Sequence, residues 1–263
     1  MEYRSVANVV PFPRALMALI PWTFLGCAAM YTYVALGASG GAVAGMALLL
    51  GAFVMSVACY AAAERRSEGA YGAAALVCGT AIVTAVLPTT GSVFVDAVVL
   101  LTVIVAAAVL FVRAVPMPAL RPVRLRNISM AVVLLLPIGL AFAQAASLGL
   151  RFWETFPLGT PSFLFVPFMA LWGFAEETLF RGVVQRSFSA AMGRSSAIVS
   201  AAALNAAYML FWGSVMYAVF SFLAALLLGH LYARTNSLMY VGTIRALTDT
   251  WLIVAFLILG LAG

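Results

Sequence analysis

The sequence predicts an all-α protein, a polytopic transmembrane helical bundle of about nine spans, with eight the other count it allows. Three observations lead there. Hydrophobic residues make up 65% of the 263 and charged residues 8%, where a soluble domain carries roughly 25% charged residues. Mean hydropathy is +1.13. The apolar residues also come in long uninterrupted runs, not in the period-two alternation of a membrane barrel. One globule of this size cannot hide so much apolar side chain, because buried volume grows too slowly with chain length. An ordinary soluble enzyme, a disordered chain and a secreted disulfide scaffold are therefore excluded, and lipid is the solvent for most of the surface.

A helix needs about 20 apolar residues to cross the hydrocarbon core. The runs that qualify cover 15–37, 41–63, 70–87, 92–112, 128–150, 161–185, 196–212, 214–233 and 238–261. The third is short, and only Trp212-Gly213-Ser214 separates the seventh from the eighth, which is where the count of eight arises. The first run follows Arg4 and Arg14, as a signal peptide would, but it is too long for an h-region and no A-x-A site follows. It reads as a retained span.

All 14 basic residues are arginine, and the net charge is +6. They form no single patch, so they report topology and not a nucleic-acid partner. With nine spans, Arg4, Arg14, Arg65, Arg66, Arg113, Arg121, Arg124, Arg126, Arg181, Arg186, Arg194 and Arg234 fall on one side, and Arg151 alone on the other. Positive residues stay inside, so the N-terminus is expected in the cytoplasm and the C-terminus outside. The connection 113–127, with Pro116, Pro118 and Pro122, divides the chain into N-terminal helices (1–127) without a motif and a membrane domain (128–263) holding nearly all the intramembrane polar residues. No inverted repeat of the transporter kind is evident. Cys27, Cys59 and Cys78 lie in apolar runs with no metal-ligand spacing and read as small buried hydrophobes.

An ionisable residue inside a span is costly, so each is a functional candidate. Asp96 near the start of the fourth span reads as reaching interfacial water. The sixth span carries Ala175-Glu176-Glu177-Thr178-Leu179-Phe180-Arg181-Gly182. Glu177 and Arg181 are one helical turn apart, so an ion pair is natural. Glu176 points about 100° away and is placed to face the bundle interior, where a desolvated carboxylate suits general base work on water. The structural account of the same residues is a neutralised charge cluster at the cytoplasmic interface, with Arg181 snorkelling. Arg245 and Asp249 in the last span have the same i, i+4 spacing and the same bland reading of mutual neutralisation. Asn205 and Tyr208, one turn apart, are hydrogen-bond donors suited to a developing oxyanion.

The string Glu176-Glu177-x-x-x-Arg181 resembles the first motif of the CAAX-protease and bacteriocin-processing family, the type II CAAX prenyl endopeptidase relatives also described as glutamic intramembrane proteases. Gly229-His230-Leu231-Tyr232-Ala233-Arg234-Thr235-Asn236-Ser237-Leu238 is similar to the segment before that family's last motif, and the resemblance covers about 160–262. Two departures stand out. The second motif's aromatic and histidine have Leu204 and Tyr208 in their places, and the last motif's histidine has Arg245, with Asp249 matching four residues on.

The resemblance implies an intramembrane endopeptidase with a C-terminal four-helix core. Its site would comprise Glu176, Glu177, Arg181, Tyr208, Arg245 and Asp249, with Asn205 and His230 as accessory residues. Glu176 would activate water without metal or cofactor. His230, the sole histidine, lies one turn before Arg234 and is a candidate replacement for the missing imidazoles. The implied substrate is a membrane-anchored peptide or protein, and the implied location is the bacterial plasma membrane. Loss of both motif histidines leaves room for a non-catalytic relative that binds a membrane partner. A transporter coupled through the buried charges is a third reading.

Overall fold

The computed structural model describes residues 14–36, 39–62, 65–86, 102, 129–148, 162–210 and 214–261. The regular structure among them is helical throughout. Apart from residue 102, the predicted span 92–112 with Asp96, the connection 113–127 and Arg151 lie outside the described residues.

Three helices open the chain, α1 (Arg14–Leu36), α2 (Ser39–Ala62) and α3 (Arg65–Val86). They pack in sequence, α1 on α2 and α2 on α3. Small residues permit the close approach. A Cβ on Gly45 would lie 2.8 Å from the Met30 backbone nitrogen, and one on Gly26 would lie 2.9 Å from Leu49 Cγ. Helix association in lipid depends on such contacts, because apolar burial alone gives no advantage over lipid tails. Cys27 and Cys78 are buried here and Cys59 is partly buried, all as free thiols. The Thr23 hydroxyl and the Cys78 thiol are 3.2 Å apart.

The C-terminal part begins with α4 (Met130–Leu148). A helical rod then runs from Ser162 to Met192 as α5 (Ser162–Glu177), a π-helical segment (Thr178–Gln185) and α6 (Arg186–Met192). The predicted sixth span thus continues past 185. It ends at Gly193, whose φ of 80° is a conformation that glycine adopts without strain. The last helices are α7 (Arg194–Met209), α8 (Val215–Thr235) and α9 (Leu238–Leu261). Ser214 caps α8 by accepting from the Tyr217 backbone N–H, and Asn236 ends it in the left-handed region.

Among the described residues, three stretches are long and apolar enough to cross a membrane, Met130–Leu148, Val215–Thr235 and Leu238–Phe256, with shorter apolar stretches at Leu19–Tyr31, Val43–Cys59 and Gly69–Val83. Pro21, Pro137 and Pro167 lie inside α1, α4 and α5; neighbouring helices satisfy the freed backbone groups in membrane bundles. Helix α9 packs on both α4 and α5, α8 on α7 and α4, and α7 on α1, while α3 packs on α6. One apolar core therefore runs from Leu19, Leu49 and Val77 in the first three helices into Phe180, Phe188, Leu204 and Tyr217.

Candidate active site

The polar centre is built from α5 outward. Glu176 is the penultimate residue of α5 and is 6% exposed. Its Oε1 accepts from Asn205 Nδ2 of α7 at 3.0 Å. Its Oε2 accepts from Arg245 Nη2 of α9 at 2.9 Å. Arg245 Nε lies 3.4 Å from Asp249 Oδ2, one turn along α9. Asp249 Oδ1 accepts from Gln144 Nε2 of α4 at 3.3 Å, and the same nitrogen donates to the Tyr217 hydroxyl of α8 at 3.3 Å. All six of these residues are buried. Five helices thus deliver one continuous chain of hydrogen bonds and ion pairs. The expected core of four helices gains α4 as a fifth.

The charge arithmetic explains the donors. Two carboxylates share one guanidinium, so the triad Glu176–Arg245–Asp249 holds more negative than positive charge. Asn205 and Gln144 each give an N–H to one carboxylate, and buried carboxylates need such donors in an apolar interior. The packing that allows the triad is a single small residue. A Cβ on Gly173, one turn before Glu177, would lie 2.5 Å from Asp249 Oδ2 and 3.0 Å from the Arg245 carbonyl. Helix α5 can approach α9 this closely only without a side chain at that position.

Glu177 takes the other direction. It pairs with Arg181, Oε2 to Nε at 3.1 Å, as their spacing predicts. Arg181 is 1% exposed. This corrects the expectation that it snorkels to the cytoplasmic interface. The rod runs on to Met192, so Arg181 lies well inside it, and only beyond Met192 is an arginine of that end, Arg194, exposed. The pair sits at the start of the π-helical segment, where i→i+5 bonding widens the helix, a feature frequent at functional sites. Further along that segment Gln185 donates from Nε2 to the Gly229 carbonyl of α8 at 2.9 Å, tying the rod to α8.

Tyr208 is buried against Phe180 of the π segment, ring centroids 6.2 Å apart. His230 is exposed on α8, whereas Glu176 is enclosed. The structure therefore does not bring the sole histidine into the cluster. That corrects its placement as a replacement partner: similar depth along two helices did not mean a shared face. Sequence reasoning missed Gln144, Tyr217 and Gln185. Gln144 had a visible signal, as the one long polar side chain in the apolar stretch Met130–Leu148. Tyr217 and Gln185 had none beyond their residue type. Among the described residues, no group of three His, Cys, Asp or Glu side chains is arranged to hold a metal ion.

Fold and site together define a membrane protein, all-helical among the described residues, with a buried glutamate–arginine–aspartate network. Residues 158–251 match the family model described as Type II CAAX prenyl endopeptidase Rce1-like. That stretch holds Glu176, Asn205, Arg245 and Asp249 but not Gln144, and through it the chain is similar to the type II CAAX prenyl endopeptidase relatives. No curated protein and no solved structure gives a match.

Proposed function

We propose that the chain is an intramembrane endopeptidase of the glutamic type that cleaves a membrane-anchored peptide or protein. One observation carries the reading: Glu176 is a buried carboxylate held in place by groups from two other helices, Asn205 at 3.0 Å and Arg245 at 2.9 Å. A base fixed by its neighbours loses little freedom when it acts. Each Glu176 oxygen retains lone-pair capacity beyond the bond it accepts, so a water can dock on the carboxylate. That water adds its oxygen to the scissile carbonyl carbon and gives a proton to Glu176. The C–N bond then breaks, the proton passes to the departing amine, and the products are a carboxylic acid and an amine. Arg245 and the second amide hydrogen of Asn205 are the donors for the oxyanion, with Tyr208 in a supporting position. The Glu177–Arg181 pair keeps a second charge neutral beside them. The site faces the cytoplasm of a bacterial plasma membrane, with the N-terminus on the same side, as the arginine distribution supports.

Purified protein in detergent, given a fluorescent prenylated peptide, is expected to cleave it. Glu176→Gln, which has nearly the same shape but keeps only one of the two acceptor oxygens and no base, is expected to lower kcat at least about a hundredfold. Undiminished cleavage by that variant overturns the mechanism.

One observation favours a second reading, a non-catalytic relative that binds a membrane partner. Arg245 stands where the family motif has a histidine, and its guanidinium occupies one edge of Glu176. A guanidinium cannot take up a proton as imidazole does. Equal recovery of one partner by wild type and Glu176→Gln, with no cleavage by either, supports this second reading.

A further inference from the structure

The far end of the network contains groups that the hydrolytic mechanism does not use. Gln144 spends both amide hydrogens, one on Asp249 and one on Tyr217, each at 3.3 Å. Its carbonyl oxygen Oε1 is buried and accepts no hydrogen bond among the described residues. An unpaired buried acceptor is costly, and native structures keep few of them. The Tyr217 oxygen accepts from Gln144 and from Arg245, which leaves its own hydrogen to give. Its ring stacks on Phe220, with centroids 6.2 Å apart and planes 14° from parallel, which holds the phenol ring in place.

The two residues therefore offer one acceptor and one donor on adjoining side chains, held together by their own hydrogen bond. In an extended chain the N–H and C=O of a single residue point to the same side, which is how paired residues of antiparallel strands exchange two hydrogen bonds. An acceptor and a donor on adjoining side chains have the chemistry to meet both groups of one such residue. The Gln144–Tyr217 pair is also tied through Asp249 to Arg245 and so to Glu176.

We propose that Gln144 and Tyr217 form a backbone clamp for an extended peptide, with Gln144 Oε1 accepting the N–H of one substrate residue and the Tyr217 hydroxyl donating to its carbonyl oxygen. This rests on the endopeptidase reading for the identity of the ligand as a peptide, but it is tested by binding alone. A side-chain amide and a phenol read backbone, so the clamp sets the register of the segment and not its sequence. The neighbouring ion pairs then meet the same bond in every substrate.

The test uses the full-length Glu176→Gln protein in detergent and a fluorescent prenylated peptide, with a set of analogues N-methylated at one residue each. N-methylation removes a single N–H. Methylation at one position is expected to weaken binding about tenfold, and that penalty disappears in the Gln144→Leu background. Tyr217→Phe, which keeps the stacked ring, is expected to weaken the unmodified peptide by a similar factor. The clamp is overturned if no methylation penalty changes between the two backgrounds, as when Gln144 Oε1 holds only a buried water. Unaltered binding by Tyr217→Phe or an absence of peptide binding also overturns it. Binding with the expected pattern but no cleavage by wild type sustains the clamp and removes the hydrolytic mechanism.

Discussion

Arg245 decides the electrostatics of the site at the residue scale. It alone stands between Glu176 and Asp249, 2.9 Å from one carboxylate and 3.4 Å from the other. Removing one member of a buried ion pair leaves an uncompensated charge, at a cost of about 3–5 kcal/mol. Arg245→Met is therefore expected to lower thermal stability in detergent by that order. Adding Glu176→Gln to Arg245→Met should recover part of the loss, and a double-mutant cycle measures the coupling. If the two losses simply add, the pair contributes nothing. The i, i+4 pairs Glu177–Arg181 and Arg245–Asp249 were legible in the sequence because helix periodicity alone brings them together. The Glu176–Arg245 contact was not, since it joins residues 69 apart in sequence and no periodicity reports which faces of two helices meet. Gln144 and Tyr217 escaped for a related reason. Neutral polar residues in an apolar run raise no charge alarm, and their importance lies wholly in the partners they find across the bundle.

Helix spacing governs the same site at the scale of elements. The close approach of α5 and α9 passes through Gly173, where a Cβ would meet Asp249 and the Arg245 backbone at 2.5 to 3.0 Å. The Arg245 contact is backbone, and the Asp249 carboxylate is held by its ion pair with Arg245. Gly173→Ala is therefore expected to cost about 1–3 kcal/mol by overpacking and to disturb the triad. Gly139 in α4 is the matched control, because a Cβ there meets nothing within 4 Å. Gly139→Ala should be neutral or stabilising by up to about 1 kcal/mol, since alanine favours a helix over glycine. Equal midpoints for the two variants would show that α5 has room to move. Apolar run length revealed most of the helices. It did not reveal that the sixth run becomes a π-helical segment and carries on to Met192, because backbone bonding pattern is set by packing against α7 and α8 and leaves no signature in hydropathy.

The arginine distribution makes a claim about sidedness at the scale of the whole molecule. Arg194 opens α7 and Arg234 closes α8, both are exposed, and α7 and α8 pack together as successive helices. The two positions therefore share one membrane face. In a background with Cys27, Cys59 and Cys78 replaced, Arg194→Cys and Arg234→Cys should both react with an impermeant thiol reagent in inverted vesicles, and neither in right-side-out vesicles. Opposite behaviour of the pair would contradict the packing. Identical protection in inverted vesicles would reverse the orientation read from the positive-inside rule.

The apolar core shared between the first three helices and the site-bearing ones has a practical consequence. Ala197, Ala201 and Phe188 belong to one apolar cluster with residues of α1 and α3, and α1 packs on α7 as α3 does on α6. A truncated chain starting at residue 128 would keep every charged group of the network yet lose a wall of its housing. It should extract from membranes as an aggregate, and co-expressing residues 1–127 as a separate polypeptide should restore a well-behaved particle.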